Sequence, residues 1–219
     1  MLPPLTDFVA MAGIVLVTCA ACLRLSSLMF ATTGRANAKG RWLVGICFVA
    51  MWIPIGAAQL PVAAYLRGVT SDFSISLVVL AALNLSSRLF SLKLFDRREC
   101  QAVFYAVAAA AFFLYPLALG WGDWDAYISG WGSDGMWAGL LLVCVVCWVA
   151  GLRLLPLLIA FAMASWTAQL MESTNLWDYL FDPWLAIAAI FKSGATAATQ
   201  LRGRFLHKKN AGKITGEIL

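Results

Sequence analysis

Two cysteine pairs carry the sharpest chemical signal in this chain: Cys19-Ala20-Ala21-Cys22 and Cys144-Val145-Val146-Cys147. A spacing of three puts both thiols of a pair on one face of a helix. If the two helices were neighbours, four sulfurs would converge as a redox couple or a soft metal site. A plainer role competes. Cysteine is small and mildly apolar and fits well between helices, and a thiolate inside an apolar run is strongly disfavoured. That balance favours simple packing.

Polar groups inside apolar stretches form the next candidate set: Lys192, Asn84, Arg88 and Gln59. Within a bilayer such a residue faces a partner or a watery cavity, unless it lies near a helix end and snorkels to the headgroups. Arg24 and Arg88 fit the snorkelling description. Asn84 and Arg88 share a helix face at i, i+4. Lys192 lies near mid-membrane if its segment crosses, and is a headgroup contact if the segment lies along the interface.

A third set mixes tryptophans with acids: Trp121, Asp123, Trp124, Asp125, Trp131, Asp134, Trp177 and Asp178. Ring faces and carboxylates together can bind a cation, although an aromatic belt at a membrane interface accounts for the same composition. Ala160, Ala164 and Ala168 make a small-residue stripe that lets another helix approach closely. The single histidine, His207, lies in the tail, so no intramembrane histidine is available as acid, base or metal ligand. No phosphate-binding loop, dinucleotide fingerprint or HExxH motif occurs. No acidic pair lies within an apolar run, which argues against a carboxylate proton relay.

The elements that would position these residues are membrane helices. Apolar residues make up 62% of the chain and charged residues 12%, half the usual share of about 25%. Mean hydropathy is +0.82. A spanning helix needs about 20 mostly apolar residues. Such runs cover residues 7–30, 42–66 (kinked at Pro54 and Pro61), 73–94 and 101–119. The stretch 136–171 would form a single helix of ~54 Å against a hydrocarbon core of ~30 Å. Two helices joined by a tight turn near Arg153 fit better. A weaker run, 183–201, follows. The gap at 120–135 is long, glycine-rich and free of bases.

Bases in the gaps set the orientation. With the N-terminus outside and seven crossings, twelve bases lie inside and only Arg67 outside, while eight of the 11 acids fall outside. The expected fold is therefore all-α: a polytopic transmembrane bundle of about seven spans (five if 136–171 crosses once and 183–201 lies along the interface). The membrane domain covers 1–201 and a basic cytoplasmic tail 202–219. No lysine or arginine precedes the first run, so a retained helix is expected there instead of a cleaved signal. The net charge of +5 reflects this inward bias of bases, and no nucleic-acid partner is expected. No cysteine falls in an outward gap, so no extracytoplasmic disulfide framework is expected.

The expected location is the bacterial inner membrane, the expected partners are lipid and other membrane subunits or a second copy, and no cofactor is implied. Three functions remain open. A non-catalytic membrane subunit or interaction protein comes first, a small-solute transporter or channel second and a thiol-redox enzyme third.

Overall fold

The computed structural model describes residues 4–29 and 38–216, the stretch 203–216 by its backbone alone. Nine α-helices follow one another among the described residues: α1 (Leu5–Met29), α2 (Ala38–Met51), α3 (Val62–Thr70), α4 (Ile75–Phe90), α5 (Arg97–Ala118), α6 (Asp134–Val149), α7 (Leu154–Thr167), α8 (Leu176–Leu180) and α9 (Pro183–Gly216). A 3-10 turn covers Ala126–Trp131. A short antiparallel ladder, β1 (Pro54–Ile55) with β2 (Leu60–Pro61), is the one sheet in this part of the chain. Two helices, α1 and α5, are long and apolar enough to cross a membrane alone; α4, α6 and α7 are apolar but shorter.

The stretch 42–66 differs from expectation. It is not one kinked helix: α2 stops at Met51, the chain reverses through the β1–β2 hairpin, and α3 begins after Pro61. Pro54 and Pro61 lack the N–H that would continue a helix. Between them Gly56 (φ 69°) and Gln59 (φ 50°) adopt left-handed backbone, so the chain turns where it was expected only to bend.

Residues 136–171 do form two helices. At the end of α6, Gly151 takes φ 71°, its N–H bonds the Trp148 carbonyl at 3.0 Å, and the Leu152 N–H bonds the Cys147 carbonyl at 2.8 Å. This is a Schellman closure, which needs a left-handed residue just past the helix. The last run is one continuous helix, α9, whose 34 residues extend ~51 Å. It continues past the compositional boundary at 201.

Two apolar clusters hold the helices together. The larger joins Val103, Ala111 and Leu114 of α5, Leu158 and Ala162 of α7, Tyr179 of α8, and Leu185 and Ala189 of α9. The smaller joins Ile14, Val15 and Cys19 of α1 with Met51 and Ala63. Helix α4 serves both, contributing Ile75 to the first and Leu85 to the second. Alternating helix directions gather Asp7, Asp72, Glu172, Asp178 and Asp182 at one end of the bundle, here the acidic end. Arg88 with Ser27, and Glu99 with the Arg153 backbone, meet at the other, basic end.

Candidate functional site at the acidic end

Arg67, at the end of α3, is the organising residue. Its Nη1 donates to Asp7 Oδ1 of α1 at 2.6 Å, its Nε to Asp72 Oδ1 at 2.6 Å, and its Nη2 to Glu172 Oε1 at 2.7 Å. A second bond from Nη2 to Asp72 Oδ2 at 3.2 Å completes a two-toothed fork. These carboxylates, Asp72 foremost and then Asp7 and Glu172, hold the guanidinium pKa above its ordinary value in spite of partial burial. One side chain thus ties α1, the α3–α4 link and the α7–α8 link together.

Beside it Asp182 is 6% exposed. Its Oδ1 accepts the Leu185 N–H at 2.8 Å and its Oδ2 the Ser74 N–H at 2.7 Å, so one carboxylate caps α9 and fixes the start of α4. Pro183 follows at the first helical position, where its missing N–H costs nothing. Trp184 Nε1 reaches the Thr70 carbonyl at 3.3 Å.

A cleft of about 740 Å³ opens here, lined by Arg67, Asp72, Glu172, Ser173, Asp178 and Trp184 among others. With Asp182, also in the wall, four carboxylates face one guanidinium. The cleft is net negative, and its one cation already makes four bonds to carboxylates.

The 3-10 turn is pinned to α8. Tyr127 Oη donates to Asp178 Oδ2 at 2.8 Å, and Asn175 Nδ2 donates to the Tyr127 carbonyl at 2.9 Å. Trp177 Nε1 lies 3.2 Å from both the Ala126 carbonyl and Ser129 Oγ. Burial, followed by the bond to Asp178, pushes the Tyr127 phenol up from its ordinary pKa. Burial also raises Tyr179, whose hydroxyl accepts the Met171 N–H and donates to the Ser173 carbonyl.

The eight aromatic and acidic candidates therefore divide. Trp177 and Asp178 are structural ties, and Asp125 caps the 3-10 turn through the Tyr127 N–H at 2.8 Å. Trp121, Asp123, Trp124, Trp131 and Asp134 stay exposed. Below them an apolar groove of about 520 Å³ runs between α5, α6 and α7, bordered by Gly135, Gly139 and Val143 of α6.

The other candidates scatter. Gln59 sits on the exposed hairpin with its amide on the Gly56 carbonyl, far in sequence and setting from Asn84 and Arg88 on α4. Lys192 is exposed on α9, with Nζ 3.9 Å from the centre of the Phe104 ring. It borders neither cleft. Cys22 Sγ contacts Cys47 Sγ of α2 at 3.7 Å. Cys144 belongs to the larger apolar cluster and Cys19 to the smaller, so the two CxxC pairs do not converge. Among the described residues no group of histidine, cysteine and carboxylate side chains could hold a metal. Ala160, Ala164 and Ala168 all face outward, while Leu158, Ala162 and Ser165 are the buried face of α7.

Sequence reasoning missed Arg67 as a hub, and missed Asp182 and Asn175 altogether. A signal existed for two of them. Arg67 was the lone base among acids, and Asp182-Pro183 has the form of a helix start. No known protein family, curated protein or solved structure matches this chain.

Proposed function

We propose that this is a non-catalytic, multi-pass membrane protein that works by holding partner proteins within the bilayer. One observation carries the reading. Helix α2 has only Gly40 and Met51 buried, while Trp42, Leu43, Ile46, Phe48 and Val49 stand exposed along it. α6 is similar, with only Met136 and Cys147 buried and Leu141, Leu142, Val145, Val146 and Trp148 exposed. Apolar faces of this extent are not stable against water and need lipid or protein cover. The outward stripe of Ala160, Ala164 and Ala168 adds a face that another helix can approach closely.

Seven crossings are the topology that best accommodates these faces, made by α1, α2 with α3, α4, α5, α6, α7 and α9. The break between α6 and α7 and the burial of Leu185, Ala186 and Ala189 of α9 support it. The acidic end would then face outward in the bacterial inner membrane and the basic end inward, as the distribution of bases requires. Transport gains no support from Lys192, which borders neither cleft. Thiol-redox chemistry gains none from cysteine pairs that lie in separate clusters.

The test is site-specific photocrosslinking from Ile46 on α2 and Leu142 on α6 in intact membranes. A discrete protein adduct of fixed size is expected from at least one position. Crosslinks to lipid alone from both positions, together with a clean monomer in mild detergent, would overturn the proposal. Membrane-impermeant thiol labelling of Asp123→Cys from outside and Lys208→Cys only from inside checks the topology.

A further inference from the structure

The apolar groove between α5, α6 and α7 holds one polar group that the fold leaves unused. Ser76, in the first turn of α4, lies in its wall and is 3% exposed, yet its hydroxyl has no hydrogen-bond partner among the described residues. The oxygen is not sealed in, as Asn84 Oδ1 and Ser193 Oγ are, so the access it keeps comes from the groove. The other two hydroxyls of the wall are spent: Ser129 Oγ donates to the Ala126 carbonyl at 2.7 Å and Ser133 Oγ to the Ser129 carbonyl at 3.1 Å. A buried hydroxyl without a partner is costly. Water is a poor remedy here, because it needs about two to four polar partners and would find one.

The groove grades from aromatic to aliphatic along its length. At the acidic end, where Asp182 holds the Ser74 N–H just before Ser76, the wall carries the rings of Phe113, Trp124, Trp177 and Phe181. Trp124 stands 5.9 Å from Phe113 and Trp177 5.7 Å from Phe181, centre to centre. Toward the basic end the wall continues through Val143 of α6 and Leu155 at the start of α7. Gly135 and Gly139 keep its α6 side open, since a Cβ at either would meet nothing within 4 Å. None of the described residues that line it is charged. Its volume of about 520 Å³ is that of a small-molecule site.

We propose that this groove binds a lipid-soluble quinone: a neutral, flat, carbonyl-bearing ring with a hydrocarbon tail. Ser76 Oγ donates to a ring carbonyl, the ring packs against the aromatic faces, and the tail lies along α6 toward Leu155. Each part follows from the wall. Burying a carboxylate or phosphate where no cation waits would be prohibitive, so the occupant is neutral. A ligand alcohol would add a second donor to that of Ser76 and leave one of the two without an acceptor, whereas a carbonyl only accepts. Ring pairs gain beyond the area they bury, so the aromatic end favours a ring over a second acyl chain. The site takes nothing from the membrane reading above except the source of the ligand.

The experiment titrates the full chain in mild detergent with decylubiquinone, with decylbenzene (the same tail on a ring without carbonyls) and with dioleoylglycerol. The unfolding midpoint reads affinity, and native mass spectrometry reads the adduct. Wild type should bind decylubiquinone saturably and decylbenzene about fivefold more weakly, the worth of one neutral hydrogen bond. Ser76→Ala loses no bond within the protein and should fold normally. It should weaken decylubiquinone binding about fivefold and leave decylbenzene unchanged. Gly139→Leu fills the open side of the groove and should abolish binding of both.

Equal affinity of wild type and Ser76→Ala for decylubiquinone, or binding undiminished by Gly139→Leu, would overturn the proposal. Tighter binding of dioleoylglycerol would also overturn it and give the groove to paired acyl chains. A dimeric mass that Gly139→Leu converts to a monomer, without saturable quinone binding, would overturn it in favour of a helix from a second copy. If Gly139→Leu fails to fold, the Ser76→Ala comparison decides alone. A chain that stays monodisperse without detergent would overturn the membrane reading, and the same titration in buffer would still decide the site.

Discussion

Replacing Arg67 with methionine keeps an unbranched apolar stem, drops the guanidinium and removes all three ion pairs at once. Glu172 is 67% exposed, so its pair adds about 0.5 kcal/mol or less. The side chains of Asp72 and Asp7 are 15% and 31% exposed, between a surface pair and a buried one, so each adds about 1 kcal/mol. Repulsion among the abandoned carboxylates adds to the loss, for a total of about 2–3 kcal/mol. At about 2–4 °C per kcal/mol for a chain of this size, the unfolding midpoint should fall by roughly 5–10 °C. Tryptophan fluorescence during heating in detergent is the assay. Arg67→Lys should recover part of the loss, because an ammonium cannot form the two-toothed fork to Asp72. Glu172→Gln should cost about 2 °C or less if its pair is worth what its exposure indicates. Equal midpoints for wild type and Arg67→Met, or a Glu172→Gln penalty as large as that of Arg67→Met, would refute the reasoning.

Two glycine substitutions, one in the 3-10 turn and one on α6, should behave oppositely. A Cβ at Gly130 would overlap Asn175 Oδ1 and crowd Trp177, so Gly130→Ala should unpin the 3-10 turn from α8 and speed proteolysis there, whereas a Cβ at Gly139 meets nothing within 4 Å and Gly139→Ala should be neutral or mildly stabilising on heating. The phenols of Tyr127 and Tyr179 have folded pKa values above the ordinary value of about 10. Their stabilising effect is therefore complete below about pH 10 and lost only as pH rises through the raised values. Alkaline titration of phenolate absorbance should show Tyr127→Phe deleting a late component; deletion of an early one would contradict the assignment. Asp182→Ala removes the acceptor shared by Leu185 and Ser74 and should lower stability by about 1–3 kcal/mol, with faster amide exchange at both N–H groups. Mild oxidation should link Cys22 to Cys47 and never Cys19 to Cys144; the opposite pairing on a gel would break the helix arrangement.

Most of the helical framework was legible because hydropathy reports which stretches avoid water. The runs at 7–30, 73–94 and 101–119 match α1, α4 and α5 within a few residues, apart from α5 starting earlier at Arg97. The turn between α6 and α7 was legible too, since length alone forbade a single helix and Gly151 supplied the left-handed residue. The hairpin at 54–61 was not. Proline pairs in an apolar run read equally well as a kink or as a reversal, and the left-handed Gln59 leaves no trace in composition. The acidic-end site was hidden for a different reason. Its bonds cross 60 and 105 residues of sequence, and Asn175 and Asp182 lie in gaps where exposure is the natural expectation. Polar residues in connecting segments are assumed to meet water, but here the helix ends bury them and use them as fasteners.

The order in which Arg67 finds its partners bears on how the chain is assembled. Asp7 has already been synthesised when Arg67 emerges, Asp72 follows five residues later, and Glu172 arrives only 105 residues after it. Under the membrane reading proposed above, a cation leaving the ribosome with an acid five residues behind it would enter the bilayer as a nearly neutral pair, a milder obstacle to insertion than a lone arginine. Its third bond waits for α7. The early helices can dock provisionally through Asp7 and Asp72, and the cluster closes only once the later half of the molecule is in place. An insertion intermediate stalled before residue 172 would carry an unfilled donor on Arg67, a mark by which an incomplete chain differs from a finished one.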